Sequence, residues 1–122
     1  MSAPIGGILL VTPPGRIRTG LLILLKSLYP QVVICAATNA AAAEDQIMSD
    51  CHWLILVDAD LPAGDLWRLA LATRQHLQGC QVISLTHYPQ QSDLSQAAGV
   101  PALSLEGLTS EILRQALSGY LQ

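Results

Sequence analysis

The sequence predicts an α/β fold: a parallel sheet of five strands whose crossovers are helices. Two observations carry this. Short, mainly apolar runs of strand length recur along the chain, as in strands buried on both faces. Between them lie segments whose apolar residues repeat at helical spacing, and that alternation is the mark of successive strand–helix units.

Ile8-Leu9-Leu10-Val11 reads as the first strand, closed by the Pro13-Pro14-Gly15 turn. Arg16 to Leu28 reads as a helix with Ile17, Leu21, Leu24, Leu25 and Leu28 on its inner stripe. Tyr29-Pro30 stops it, because proline cannot continue the hydrogen-bond ladder. Val32 to Cys35 is the second strand, and Asn39 is placed to cap a helix through Ala40–Ala43 to Met48. Four alanines there bury little surface. Trp53 to Val57 is the third strand and delivers Asp58 at its carboxyl end. Gly64 to Leu77 follows as a helix with Leu66, Leu69, Ala70, Thr73 and Leu77 inward; Trp67 near its start suits core or interface equally. Val82 to Leu85 is the fourth strand, ending at Thr86, followed by a short helix over Gln91 to Ala98. Ala102 to Leu105 is the fifth strand. Ser110 to Leu121 is the last helix, with Ile112, Leu113, Ala116, Leu117, Tyr120 and Leu121 at helical spacing. Nothing is left over, and neither a repeat nor a linker interrupts the series, so residues 1–122 are expected to form a single domain.

Composition narrows the function classes. Apolar residues make up 51% of the 122 residues and charged residues 12%, which suits a packed core and argues against disorder. Net charge is −3, and the basic residues Arg16, Arg18, Lys26, Arg68, Arg74 and Arg114 are scattered singly, so no basic face for nucleic acid is expected. The longest apolar run, Leu21 to Leu25, is too short to span a bilayer, and the first residues lack the pattern of a secretory signal. Cys35, Cys51 and Cys80 lie in or beside apolar segments without metal-ligand spacing, as small buried hydrophobes do. A reducing, cytoplasmic location is expected.

In an open parallel sheet, chemistry gathers at the carboxyl ends of the strands. The residues there are Thr12 and Pro13, Asp58 to Pro62, Thr86 and His87, and Glu106. No Gly-x-Ser-x-Gly elbow is present for a hydrolase. The first turn reads Thr-Pro-Pro-Gly-Arg, whose prolines remove the backbone donors a dinucleotide phosphate needs. A non-enzymatic domain is expected. His52 and His76 read as ordinary helix-flank residues.

Four stretches then resemble one family. Ile8 to Pro14 followed by Arg18-Thr19-Gly20-Leu21, Leu54 to Pro62, Val82 to Thr86, and Ala97 to Leu105 are similar, in order and at the right spacing, to the receiver domains of bacterial response regulators of the NarL/LuxR type. The resemblance implies a flavodoxin-like (CheY-like) three-layer αβα sandwich with strand order 2-1-3-4-5. It makes Asp58, four residues before Pro62, the equivalent of the phosphoacceptor and Thr86 the switch hydroxyl.

The departures bear on function. The acidic pair that helps hold Mg²⁺ in a working receiver is Thr12 and Pro13 here. The lysine that meets the phosphoryl oxygens is Glu106, and the aromatic partner of the switch residue is Leu103. Phosphoryl transfer needs positive charge around the phosphoryl oxygens, and Glu106 reverses it. No cofactor is expected, Mg²⁺ binding is disfavoured, and Asp58 with Asp60 is the pair left to hold a cation. His87 stands as an internal counter-ion to these carboxylates or as an exposed loop residue; Asp58, Asp60 and Glu106 are expected near one another, neutralised by His87 or Arg16, with Thr86 or backbone donors satisfying Asp58. The resemblance implies a pseudo-receiver that binds protein partners in two-component-type signalling or transcriptional control without phosphorylation. Its partner would be a histidine kinase, an output domain or a homodimer mate. The docking surface would be the first helix, where Leu22 and Ile23 add apolar surface, or the helix four–strand five–helix five face. Two other readings stand beside it: phosphorylation of Asp58 through an unusual metal site, and a flavodoxin-like small-molecule-binding domain.

Overall fold

The computed structural model describes residues 6–46, 53–75 and 80–120. Strands and helices alternate along the chain: β1 (Gly7–Val11), α1 (Arg16–Leu28), β2 (Val33–Ala37), α2 (Ala40–Gln46), β3 (Trp53–Asp58), α3 (Ala63–Gln75), β4 (Gln81–Thr86), α4 (Gln90–Ala98), β5 (Ala102–Ser104) and α5 (Ser110–Leu117). The five strands form one parallel sheet in the order β2-β1-β3-β4-β5, as the resemblance implied. The expected positions of Met48, Cys51, His52, His76, Leu77 and Leu121 lie outside the described residues.

Strand register explains the two cores. Leu9 pairs with Ile55 and Leu10 with Leu56, and alternate residues point to opposite faces. Leu9, Val11, Ile55, Val57 and Val82 face α2, α3 and α4 together with Ala40, Ala43, Leu66, Leu69, Ala70 and Ala98. Ile8, Leu10, Leu54, Leu56, Ile83 and Leu85 face α1 and α5 through Leu21, Leu25, Leu113 and Leu117. Burying one such leucine contributes roughly 1.5–3 kcal/mol. At the amino ends of β1 and β3, the Trp53 indole lies against Gly7. A Cβ at Gly7 would sit 2.6 Å from Trp53 Cζ3, so only glycine fits.

Caps and turns set the boundaries. Asn39 Oδ1 accepts from Ala42 N at 2.9 Å, as expected, and Asp65 Oδ2 reaches across from α3 to accept from Ala40 N at 3.1 Å. Arg68 holds Glu44 through two contacts of 2.8 Å, tying α3 to α2 a second time. Gly99 ends α4 with φ 75°, the left-handed conformation glycine adopts without strain. Thr109 Oγ1 caps α5 by accepting from Ile112 N. β2 begins one residue later than its apolar run suggests, because Val32 N bonds the Tyr29 carbonyl in a turn. It runs on through the small residues Ala36 and Ala37, which pair with Leu10 and Val11. Ile17, expected inside, and Ile112, on the last helix's apolar spacing, are 42% and 45% exposed: Ile17 lies in the first turn of α1, and Ile112 at the edge of the α5 stripe. Trp67, at 43%, lies outside the core. Among the described residues no helix is long and apolar enough to cross a membrane.

Candidate functional site

The sheet order reverses direction between β1 and β3, and clefts open at such points beyond the carboxyl ends of the strands. Asp58 closes β3 there with only 3% of its surface exposed. The chain then turns sharply: Asp60 N donates to Asp58 Oδ1 at 2.9 Å, and Leu61 N to the Asp58 carbonyl at 3.1 Å. A carboxylate bonding the backbone two residues on is the way aspartate builds a local turn.

His87, just past β4, lays its ring on this carboxylate. Its Nε2 is 2.6 Å from Asp58 Oδ1 and 3.5 Å from Asp60 Oδ2. The His87 side chain is 13% exposed, so of the two roles open to it the geometry selects that of partner to the carboxylates. Gln91, in the first turn of α4, holds the group together. Its Oε1 accepts from the backbone amides of His87 and Tyr88, while its Nε2 donates to Asp60 Oδ1 at 2.7 Å. Two aspartates, one imidazole and one amide thus form a continuous polar network, and networks of this kind fix side-chain orientation when every member is bonded.

The other expected residues stand apart from it. The Thr12 hydroxyl is buried and donates to the Pro13 carbonyl at 3.2 Å, while Pro13 is exposed. This pair supplies no carboxylate, so the residues do not fit the Mg²⁺ site of a working receiver, which requires hard oxygen ligands. Thr86 Oγ1 is 3.4 Å from the Leu103 carbonyl, so its hydroxyl turns toward β5 and does not satisfy Asp58. Leu103 itself is half-buried on the α1/α5 side. Glu106 is exposed, its amide donating to Ser104 Oγ at 3.2 Å, and it does not join Asp58 and Asp60 as expected. The reason is local: β5 ends at Ser104, so Glu106 lies beyond the last paired residue. Arg16 is exposed and takes no part in the network. Instead Arg18 spans the ends of β1 and β2, donating to the Thr12 carbonyl and to Thr38 Oγ1.

Sequence reasoning did not single out Gln91. Its only signal was a side-chain acceptor four residues after His87, at the opening of a helix, where amides seek such partners.

No family model matches this chain, and no curated protein matches it. Solved structures do resemble it. An adenylate cyclase from Rhodopirellula baltica superposes with a TM-score of 0.72 at 18% identity, covering 95% of this chain and 87% of that one. A chain from the complex of the Saccharomyces cerevisiae histidine phosphotransfer signalling protein Ypd1 with the receiver domain of its downstream response regulator Ssk1 superposes with a TM-score of 0.73 at 16% identity, covering 96% and 89%. At such identities the likeness is one of architecture, and the chain has the flavodoxin-like, CheY-like fold that its sheet order and five helices describe.

Proposed function

We propose that this chain is an atypical receiver-type module that binds protein partners in two-component-type signalling or transcriptional control, without being phosphorylated and without being an enzyme. The supporting observation is the His87–Asp58 pair at 2.6 Å. In a phosphorylatable site the acceptor carboxylate must be open to in-line attack, with cations ready for the phosphoryl oxygens. Here one of the two Asp58 oxygens, Oδ1, is occupied by an imidazole, the strand-one positions carry no carboxylate, and Glu106 stands where a lysine would be required. The partner would be a kinase, an output domain or a second copy of the chain. It would dock on α1, whose Ile17 and Ile23 are exposed, or on the α4–β5–α5 face, whose Ile112 is exposed. A bacterial cytoplasm is the setting this reading implies.

The test is incubation with Mg²⁺ and acetyl phosphate or beryllofluoride, read by intact mass and amide NMR shifts beside an Asp58→Ala control. Unchanged mass and spectra in folded protein are expected. An added phosphate, or shifts around Thr86 that vanish in the control, would make the chain a working phospho-switch.

A further inference from the structure

We propose that the free edge of β2 is a pairing surface for a second copy of this chain, which joins it antiparallel across a two-fold axis at Cys35. This surface differs from both faces named above, and the pairing stands whether or not the chain is phosphorylated. The sheet order leaves β2 and β5 as its edges, and the two are unlike. β5 is three residues long, with Pro101 just before it and Glu106 soon after, the short, proline-flanked and charged form that keeps an edge from pairing. β2 has five residues, and the run from Gln31 to Asn39 around it holds no charge, proline or glycine. Val33 at its start is 57% exposed. An uncharged edge of this length is a template for another strand.

The backbone selects the occupant. The Ala37 carbonyl accepts from Thr12 N at 3.0 Å, across toward β1. In an extended strand the N–H and C=O of one residue point the same way and those of the next point the opposite way. Val33 and Cys35 therefore also turn to β1, while Ile34 and Ala36 turn outward. Among the described residues one side chain guards these outward groups: Gln46, exposed at the end of α2, donates through Nε2 to the Ala36 carbonyl at 3.0 Å. A strand laid antiparallel on this edge must offer outward groups two residues apart, and β2 itself does. With the axis at Cys35, Ile34 of one copy faces Ala36 of the other, and each such pair exchanges two hydrogen bonds once Gln46 swings aside. An axis at Ile34 would set Ala36 against Val32, whose N–H already goes to the Tyr29 carbonyl. An axis at Ala36 would set Ile34 against Thr38, beyond the end of the strand. The pairing closes on itself: it uses both β2 edges and leaves a blunt β5 edge at each end of the joined sheet, so no polymer grows. A five-residue edge buries little area, which makes the dimer a weak and reversible one.

The full chain would be followed by sedimentation velocity and amide NMR from micromolar to millimolar concentration under reducing conditions. A monomer–dimer equilibrium is expected, with concentration-dependent shifts and slowed exchange centred on the Ile34 and Ala36 amides. Val33→Lys places a charge on an exposed edge position and should weaken association about tenfold or more. Gln46→Ala frees the Ala36 carbonyl and should strengthen association about threefold or more, a gain that a damaged fold cannot give. The axis also predicts a crosslink. Opposed Cys35 Cα atoms would lie about 4.5 Å apart, within the roughly 4.4–6.8 Å that a disulfide spans. Diamide should join two chains there, the two thiols giving two electrons and two protons to the reagent, and Cys35→Ser should abolish the joined species. A monomer at millimolar concentration, a dimer indifferent to Val33→Lys and Gln46→Ala, shifts confined to α1 or to the α4–β5–α5 face, or a crosslink that survives Cys35→Ser would each overturn the proposal. None of these results depends on whether Asp58 accepts phosphate.

Discussion

On the α1/α5 side of the sheet, Leu21, Leu25, Leu113 and Leu117 press on Ile8, Leu10, Leu54 and Leu56. On the α2/α3/α4 side, much of the helix surface is alanine: Ala40, Ala43, Ala70 and Ala98. The large side chains stabilise the first side through apolar area. The second combines small side chains with polar ties, Asp65 on the Ala40 amide and Arg68 on Glu44. One sheet is therefore held by two different balances of forces. The polar network of Asp58, Asp60, His87 and Gln91 draws on β3, β4 and α4, the helix that packs on the alanine side.

Truncation should expose the contrast most strongly. Leu25→Ala, at a fully buried position, is expected to cost about 2–5 kcal/mol in a denaturant titration, because the α1/α5 side cannot collapse into the cavity. A loss under about 1 kcal/mol would mean that this side is loosely packed. Overfilling tests the other side. Ala43→Leu should cost roughly 1–3 kcal/mol, since Ala43 has no exposed surface into which a larger side chain can escape. Removing a cap comes next: Asn39→Ala is expected to cost about 1 kcal/mol. Its amide-exchange signature should be confined to α2, whose seven residues bury few large side chains; uniform acceleration would show that α2 unfolds only with the whole molecule.

The smallest effect concerns Tyr29, which packs on the leucine side with its hydroxyl covered and unpartnered. Burial raises its pKa above the ordinary value of about 10, outweighing the opposing charge of Arg114. The neutral phenol is the form the fold prefers. Its contribution is thus intact below the unfolded pKa and is lost as pH rises through the higher folded value. Tyr29→Phe should change neutral-pH stability by only a few tenths of a kcal/mol and flatten the alkaline decline. An unchanged alkaline profile would assign the decline to other groups.

The fold was legible because β1 and β3 carry continuous apolar runs, β4 is broken only by Ser84 between Val82 and Leu85, and the helices keep their period. What period alone cannot fix is how wide an arc, and how much of a helix's length, the sheet covers, which is why Ile112 and Ile17 proved exposed. At the candidate site, Asp58 and His87 could be placed from strand ends alone. Asp60 followed from the turn after β3. Glu106 misled, because its distance from the carboxylates depends on where β5 stops pairing, and three strand residues leave little signal. Gln91 carried no motif, and its importance appears only when α4 is seen to begin beside the carboxylates.

The indole that covers Gly7 gives the molecule an optical property. The chain has two tryptophans, Trp53 nearly sealed at 8% exposure and Trp67 open to water on α3 at 43%. Their emission should separate into a blue component from the closed end of the sheet and a red, easily quenched component from the helix surface. Denaturant would shift the first toward red, while a protein settling on α3 would shield the second from iodide. Folding and docking can then be followed in one cuvette without a label.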